Sequence, residues 1–286
     1  MSQMNSKNIV FLIIILIILL IIWKNNNKLN IYQINSSIDQ MEWIEKINKK
    51  YYPIGNDYFS IIHYPKYSSF FNQFECYKYF IAKLNNKIVA TCCIAKLNFM
   101  WYICDLKSFK KGLNVTCNFG THIFFNYVCT LKIIPSFFGI VMEPNNSINH
   151  IRTKYFFTKY DTLYLYQIKY NIYNKIKNMF DNIYPNHFFV NGYKKLLLKS
   201  TETFMNVFHI AQNIDSKYVK NLNSIDLNKY KNEQIEIMFC LSESTHLSNH
   251  IESLKLHDIS PVSKMSVIGF NCSHINNWDF VKTYMI

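Results

Sequence analysis

The sequence predicts an α/β protein: a mixed, mostly antiparallel sheet flanked by helices, with a transmembrane helix ahead of it and an α/β extension behind. Three observations predict this. The run "IVFLIIILIILLIIW", Ile9 to Trp23, is apolar on every face, which suits lipid and not the surface of a globule. Between Lys78 and Ile168 β-rich runs alternate with stretches of helical period, the pattern of a layered α/β domain. Beyond residue 170 the alternation weakens but continues, and no Pro/Gly linker separates the halves.

Composition sets the bounds. The chain has 286 residues, half of them hydrophobic and 17% charged, which is a globular balance. Its net charge of +13 suits a polyanion or an anionic surface. The lysines are scattered, however, and Arg152 is the sole arginine. No dense basic tract or nucleic-acid motif is present, so nucleic acid is not the expected partner. Eight cysteines fall at irregular spacings without a Cys-x-x-Cys, which predicts reduced thiols and no zinc site. His246 and His250 share helical spacing, but "HLSNH" lacks the acidic residue of a metalloprotease helix. No metal is expected.

The elements follow in order. Ile9 to Trp23 is read as an uncleaved membrane anchor within residues 1–28, because "KNNNKLN" and no small-residue cleavage site comes next. Fifteen residues rise only about 22 Å as a helix, so the bilayer thins or the flanks enter it. Lysines outnumber those before the anchor at Lys24, Lys28, Lys46, Lys49 and Lys50, which predicts a single-pass protein with its body in the cytoplasm. A stalk and a helix through Met41, Trp43, Ile44 and Ile47 are expected next, ending near Tyr52-Pro53. "KYFIAKLNNKIVATCCIAKL" reads as a hairpin turning at Asn85-Asn86. A strand from Phe99 to Leu106 then breaks into "KSFKKGLN", followed by a helix with Phe119, Ile123, Tyr127 and Leu131 on one face. "FFGIVME" is a strand, "PNN" a helix start, Ile148, Ile151 and Tyr155 one helix face, and "YDTLYLYQI" a strand. After residue 170, "QIEIMFCL" and "KMSVIGFNC" read as strands, "HLSNHIESLKLH" as a helix and "WDFVKTYMI" as a closing strand.

The break after Leu106 carries the chemistry. The first N–H groups of a helix have no intrahelical acceptor and carry positive partial charge, so a strand feeding a Lys-Lys-Gly turn at a helix start suits a phosphate. Lys110 and Lys111 supply charge and Gly112 close approach. Read alone, the turn is equally a surface loop with solvated lysines.

The order of elements resembles the GCN5-related N-acetyltransferases. "YFIAKLNNKIVATCCIAKL" looks like that family's hairpin, "WYICDLKSFKKGLN" like its cofactor strand and turn, and "GIVMEPNNSINHIRTKYFF" like its later strand and helix. The likeness covers about residues 75 to 168. It departs from the family where Asn114 and Thr116 replace small residues of the turn. The resemblance implies an acyltransferase domain over 29–170 and, over 171–286, an extension or a second half of the same fold. It implies acetyl-CoA as co-substrate, held by Leu106, Lys107 and Ser108 at the strand, by Lys110, Lys111, Gly112, Asn114 and Thr116 at the turn, and by Asn146. An amine acceptor of unnamed identity would attack the thioester directly, with Glu143 receiving the amine proton and Tyr155 serving as acid. The alternative left open is a binding or structural protein of this fold without activity.

Overall fold

In the computed structural model, which describes residues 29–34, 51–97, 99–110, 112–123, 126, 135–143, 157–220, 222–230, 235–243 and 259–286, the elements in chain order are these. Strands β1 (Asn30–Ile34), β2 (Tyr51–Ile54) and β3 (Asp57–His63) precede helix α1 (Tyr67–Asn72). Strands β4 (Tyr77–Leu84), β5 (Lys87–Leu97) and β6 (Met100–Ser108) lead to helix α2 (Val115–Ile123). Then come β7 (Phe137–Met142), β8 (Thr158–Lys169) and helix α3 (Tyr170–Ile183). The chain continues through β9 (Phe188–Val190), β10 (Lys194–Leu198), β11 (Val207–Ala211), β12 (Glu236–Ser242) and β13 (Pro261–Phe270). Among the described residues no helix is long and apolar enough to cross a membrane. The anchor expected at Ile9 to Trp23, the helices expected over 41–47 and 246–257, and the PNN helix lie outside the described residues.

The predicted hairpin is β4–β5, and Asn85 and Asn86 take φ of 50° and 62°. Those paired left-handed values are what a two-residue hairpin turn needs, and asparagine tolerates them. Two expectations are corrected. Residues 51–63 form a hairpin about Gly55 (φ 54°) and Asn56, with Tyr52 facing Phe59, and do not end a helix. Residues 278–286 are not a strand: they turn back from Trp278 and close in a 3-10 turn, Thr283–Met285, with Trp278, Tyr284 and Met285 all buried. An apolar run that is buried on several sides reads like a strand in sequence, and here burial comes without pairing.

The chain divides into two compact units. Unit 1 comprises Met1–Asn35, Lys78–Cys93 and Asp105–Pro135; unit 2 comprises Ser36–Tyr77, Ile94–Cys104 and Ser136–Ile286. In unit 1, β1 pairs antiparallel with β4, Tyr32 facing Ile81. Its buried apolar side chains include Phe80, Ile81, Ala82, Ala90, Cys92, Val115, Phe119 and Ile123, so α2 turns the face predicted by Phe119 and Ile123 to the interior.

Unit 2 holds one arrangement twice. Strands β8 and β13 run antiparallel, Met265 facing Leu163. Beyond β13 lies β7, antiparallel to it and parallel to β6 through Trp101–Phe137, Tyr102–Phe138 and Ile103–Gly139. Beyond β8 lies β12, antiparallel to it and parallel to β11 through Val207–Glu236, Phe208–Ile237 and His209–Met238. Each parallel pair is therefore completed by a strand from the other half of the sequence, and the pattern repeats about the β8–β13 pair. The chain on either side of residue 170 shares this sheet. Gly269 of β13 permits the close fit to β7, because a Cβ there would stand 2.7 Å from the Phe137 carbonyl oxygen. Helix α3 covers β8, β11 and β12 with Tyr173, Ile176 and Phe180, which meet Tyr166, Phe208, Ile237 and Phe239 in one core. Their spacing of three and four residues is the helical period. Also in unit 2, β10, β3 and β2 form a separate three-stranded antiparallel sheet.

Candidate functional site

The turn after β6 belongs to unit 1. Strand β6 runs two residues past the predicted break, to Ser108, and bends at Asp105, whose φ is 51°. Aspartate is among the few residues with a side chain that adopt this geometry readily. Here the conformation is held from three sides: the carboxylate accepts the Tyr79 hydroxyl at 2.5 Å and pairs with Lys107 Nζ at 2.6 Å, while the Asp105 carbonyl accepts the Thr91 hydroxyl at 3.2 Å. Asp105 thus sets strand geometry. The charge of Lys107 is committed to this pair.

Beyond the bend, Leu106 and Lys107 are half-buried and Ser108 is exposed. Phe109 N–H returns to the Val89 carbonyl at 2.8 Å, and the Ser108 hydroxyl donates to the Lys110 carbonyl at 2.8 Å. Gly112 (φ 79°) and Asn114 (φ 46°) both take left-handed backbone, and among the described residues no atom beyond the chain neighbours lies within 4 Å of where a Gly112 Cβ would be. The first intrahelical bond of α2 runs from Asn118 N–H to the Asn114 carbonyl at 3.1 Å, and the Asn118 amide also donates to Leu113 O at 3.0 Å. The N–H groups of Val115 and Thr116 therefore lie ahead of the helical ladder, beside an open glycine and the exposed Lys110. Such an end can hold an anion. Lys111 lies outside the described residues.

Glu143 follows β7 in unit 2. Its N–H bonds to Lys264 O at 2.8 Å, and its carboxylate accepts the Ser266 hydroxyl and Lys159 Nζ, the latter at 3.3 Å. The Ser266 bond above all, with the charge of Lys159, holds its pKa below the usual carboxylate range. It stays anionic at neutral pH and is a weak proton acceptor while these partners remain. Asn146 and Tyr155 lie outside the described residues. Among the described residues no three His, Cys, Asp or Glu side chains gather as a metal site.

Sequence reasoning missed a buried polar cluster beyond the β11–β12 pair. The Thr283 hydroxyl donates to Met238 O at 3.0 Å and meets His209 Nδ1 at 2.9 Å. Asp215 accepts Gln212 N–H and the Tyr284 hydroxyl, each at 2.9 Å. Lys282 Nζ donates to Asp279 O at 2.7 Å and to Gln212 Oε1 at 3.3 Å, and lies 4.2 Å from the Tyr184 ring centroid. Burial raises the pKa of Asp215 and of Asp279 and lowers that of Lys282. Residues 279–284 thus fill the end of this second parallel pair with a satisfied polar network. The Asp-x-x-Lys-Thr-Tyr spacing was its sole trace in sequence. Nearby in unit 2 a cavity of about 220 Å³ is lined by Gln73, Val190, Asn191, Gly192, Asn223 and Tyr284 among others. Neither polar atom of the Gln73 side chain has a hydrogen-bond partner among the described residues.

No protein-family model matches the chain. No curated protein sequence matches it either. Solved acetyltransferase structures of the GCN5-related fold do. A tandem protein of that family from the clavulanic acid biosynthesis pathway is 6% identical, with a TM-score of 0.47 over 85% of this chain and 98% of its own. An acetyltransferase of the family from Elizabethkingia anophelis, with acetyl-CoA bound, is 12% identical, with a TM-score of 0.34 over 59% of this chain and 92% of its own. The spermidine/spermine N-acetyltransferase SpeG from Vibrio cholerae is 11% identical, with a TM-score of 0.35 over 49% and 83%. Likeness at this level carries no information about substrate.

Proposed function

We propose that the chain is a membrane-anchored, acyl-CoA-dependent N-acetyltransferase. The observation that carries the reading is the end of β6: a strand bent at Asp105, an open glycine at φ 79° and a helix start with Lys110 beside it. The left-handed backbone at Gly112, with no atom of the described residues beyond its chain neighbours within 4 Å of where a Cβ would be, supports a turn that a phosphate can approach. Leu106 to Ser108 would receive the pantetheine amides along the strand in the manner of an added strand. The N–H groups from Gly112 to Thr116 would hold the pyrophosphate, with Lys110 and Lys111 adding charge. Acetyl-CoA supplies an acyl thioester open to an amine. Glu143, a weak base, would receive the amine's proton only as the N–C bond forms and the nitrogen turns acidic, and Tyr155 would protonate the departing thiolate. Asn146 would contribute at the next helix start. The acceptor is an amine, and Ile9 to Trp23 holds the enzyme at the membrane with its body in the cytoplasm.

Calorimetry with acetyl-CoA on the full chain in detergent tests this. Each charge-assisted contact is worth roughly 1.5–3 kcal/mol, so Lys110→Ala combined with Lys111→Ala weakens binding at least tenfold. Gly112→Val abolishes it with charge unchanged. Absence of binding to the wild-type chain at millimolar acetyl-CoA refutes the reading.

A further inference from the structure

Seven large hydrophobic side chains stand exposed among the described residues, and four of them share one surface: Tyr51 (43%), Tyr58 (50%), Tyr64 (53%) and Phe204 (54%). The surface is the outer face of the β10–β3–β2 sheet. Residues paired across antiparallel strands point to the same side. Tyr51 faces Ser60 and Pro53 faces Tyr58, while Lys195 faces Ile62 and Leu197 faces Ser60. Tyr64 continues the alternation two residues beyond Ile62, and Phe204 is bridged to Leu197. The opposite alternation, with Ile54, Phe59 and Leu196, is buried. This small sheet therefore has one face turned inward and one whose rings stand exposed around a buried centre, Ser60 at 1%.

Lysines stand among the open rings. Lys195 Nζ lies 4.0 Å from the Tyr64 centroid and 5.6 Å from that of Phe204. Lys199 Nζ lies 5.3 Å from Tyr51 and 5.6 Å from Tyr58. No acidic residue occupies the outward positions of the three strands: Asp57 belongs to the inward alternation, and its carboxylate accepts the Ser200 hydroxyl. The carboxylate of Asp57 acts on Lys199, and Glu202 is exposed in the turn before Phe204, so the patch carries lysines among its rings without being of one sign throughout. Phenols interleaved with ammonium groups are what the headgroup layer of an anionic bilayer accepts: the rings lie at the apolar boundary and the ammonium groups at the phosphates.

We infer that this face docks on an anionic lipid surface. The inference rests on the membrane anchoring proposed above for Ile9 to Trp23. The 27 residues between Trp23 and Tyr51, β1 among them, span at most about 100 Å even when extended, which bounds how far the face can stand from the bilayer. Tethering raises its effective concentration, and a weak surface then suffices.

The full chain is mixed with lipid nanodiscs, either all phosphatidylcholine or with about a third phosphatidylserine, and compared with the chain in neutral detergent. Co-elution with discs is scored first, and hydroxyl-radical labelling of single side chains is then read by mass spectrometry. In the serine-lipid discs the labelling of Tyr58, Tyr64 and Phe204 falls at least threefold relative to detergent, and that of the equally exposed Ile214 does not. The surface variant Lys195→Glu with Lys199→Glu restores labelling while the chain stays in the disc. Labelling unchanged between serine-lipid discs and detergent overturns the inference with the anchor intact. So does a charge variant that stays protected. Co-elution with serine-lipid discs alone supports the docking face and removes the anchor. Co-elution with neither disc refutes both.

Discussion

His209 makes the fold's interior sensitive to acid, by an amount that can be worked out. The Thr283 hydroxyl has one proton and gives it to Met238 O, so at the His209 contact it can only accept. The imidazole therefore carries a proton on Nδ1. Its ring is 5% exposed, and burial, with the charge of Lys194 second, pushes its pKa down to about 3. An unfolded histidine titrates near 6.5. A base whose folded pKa is depressed takes up its proton first in the unfolded chain, so its effect on stability is absent above the unfolded value and turns unfavourable as pH falls from about 6.5 towards 3. The slope in that window is about 1.4 kcal/mol per pH unit, so about 2 kcal/mol is lost between pH 7 and pH 5. Asp215 and Asp279, raised by burial, act in the opposite sense, which is why the effect must be isolated by difference. His209→Asn keeps an N–H donor near the position of Nδ1 and removes the titration. Urea unfolding of both proteins at pH 7 and pH 5 should show the wild type losing about 2 kcal/mol more than the variant. Parallel losses, within about 0.5 kcal/mol, would mean that His209 is solvated or already charged in the native state, and the reasoning fails.

Other outcomes follow from single positions. Asp105→Ala removes the acceptor of Tyr79 and Lys107 and places a methyl at φ 51°; it should cost roughly 2–4 kcal/mol, and Asp105→Asn, which tolerates that φ and keeps an oxygen for Tyr79, about half as much, by denaturant unfolding. Equal losses in the two would show that backbone strain plays no part. Gly269→Ala drives a Cβ to 2.7 Å from Phe137 O and should destabilise by roughly 1–3 kcal/mol; an unchanged midpoint would contradict the close approach of β13 to β7. Carbonate washing of membranes should leave the chain in the pellet with its N-terminal peptide intact, and a soluble product beginning near Asn25 rules out an uncleaved anchor.

What could be read from the sequence was what depends on neighbours along the chain. Asn85-Asn86 announced its hairpin because both residues tolerate the φ it needs, and "YDTLYLYQI" announced β8 by alternation. Gly112 was read for close approach and Asn114 as a departure from the family's turn, and both take left-handed backbone. Helix α3 was missed: Tyr173, Ile176 and Phe180 keep helical spacing, but surrounding asparagines and the absence of a side-chain cap at Lys169 obscure it. The bend at Asp105 depends on Tyr79 and Thr91, which are distant in sequence, and no local pattern encodes it. The polar network at the end of β11 and β12 joins residues 209–215 to 279–284 through hydrogen bonds, so its members looked like unrelated surface residues. "WDFVKTYMI" was misread for the same reason: its apolar residues are buried by packing around a turn and not by pairing.

The exchange of strands in unit 2 has a consequence for biosynthesis. Strand β7 ends at Met142 and its partner β13 begins at Pro261, so the β6–β7 pair leaves the ribosome with an unpaired edge and stays so until more than a hundred further residues have been made. At about 5–20 residues per second that interval lasts roughly 6–25 seconds. Exposed parallel edges are prone to wrong pairing, and the sheet is rich in distant contacts that close slowly. The nascent chain passes through a stage in which its first half is fully made yet cannot finish folding, and a truncation ahead of Pro261 would fix it there, open along β7 and along β8.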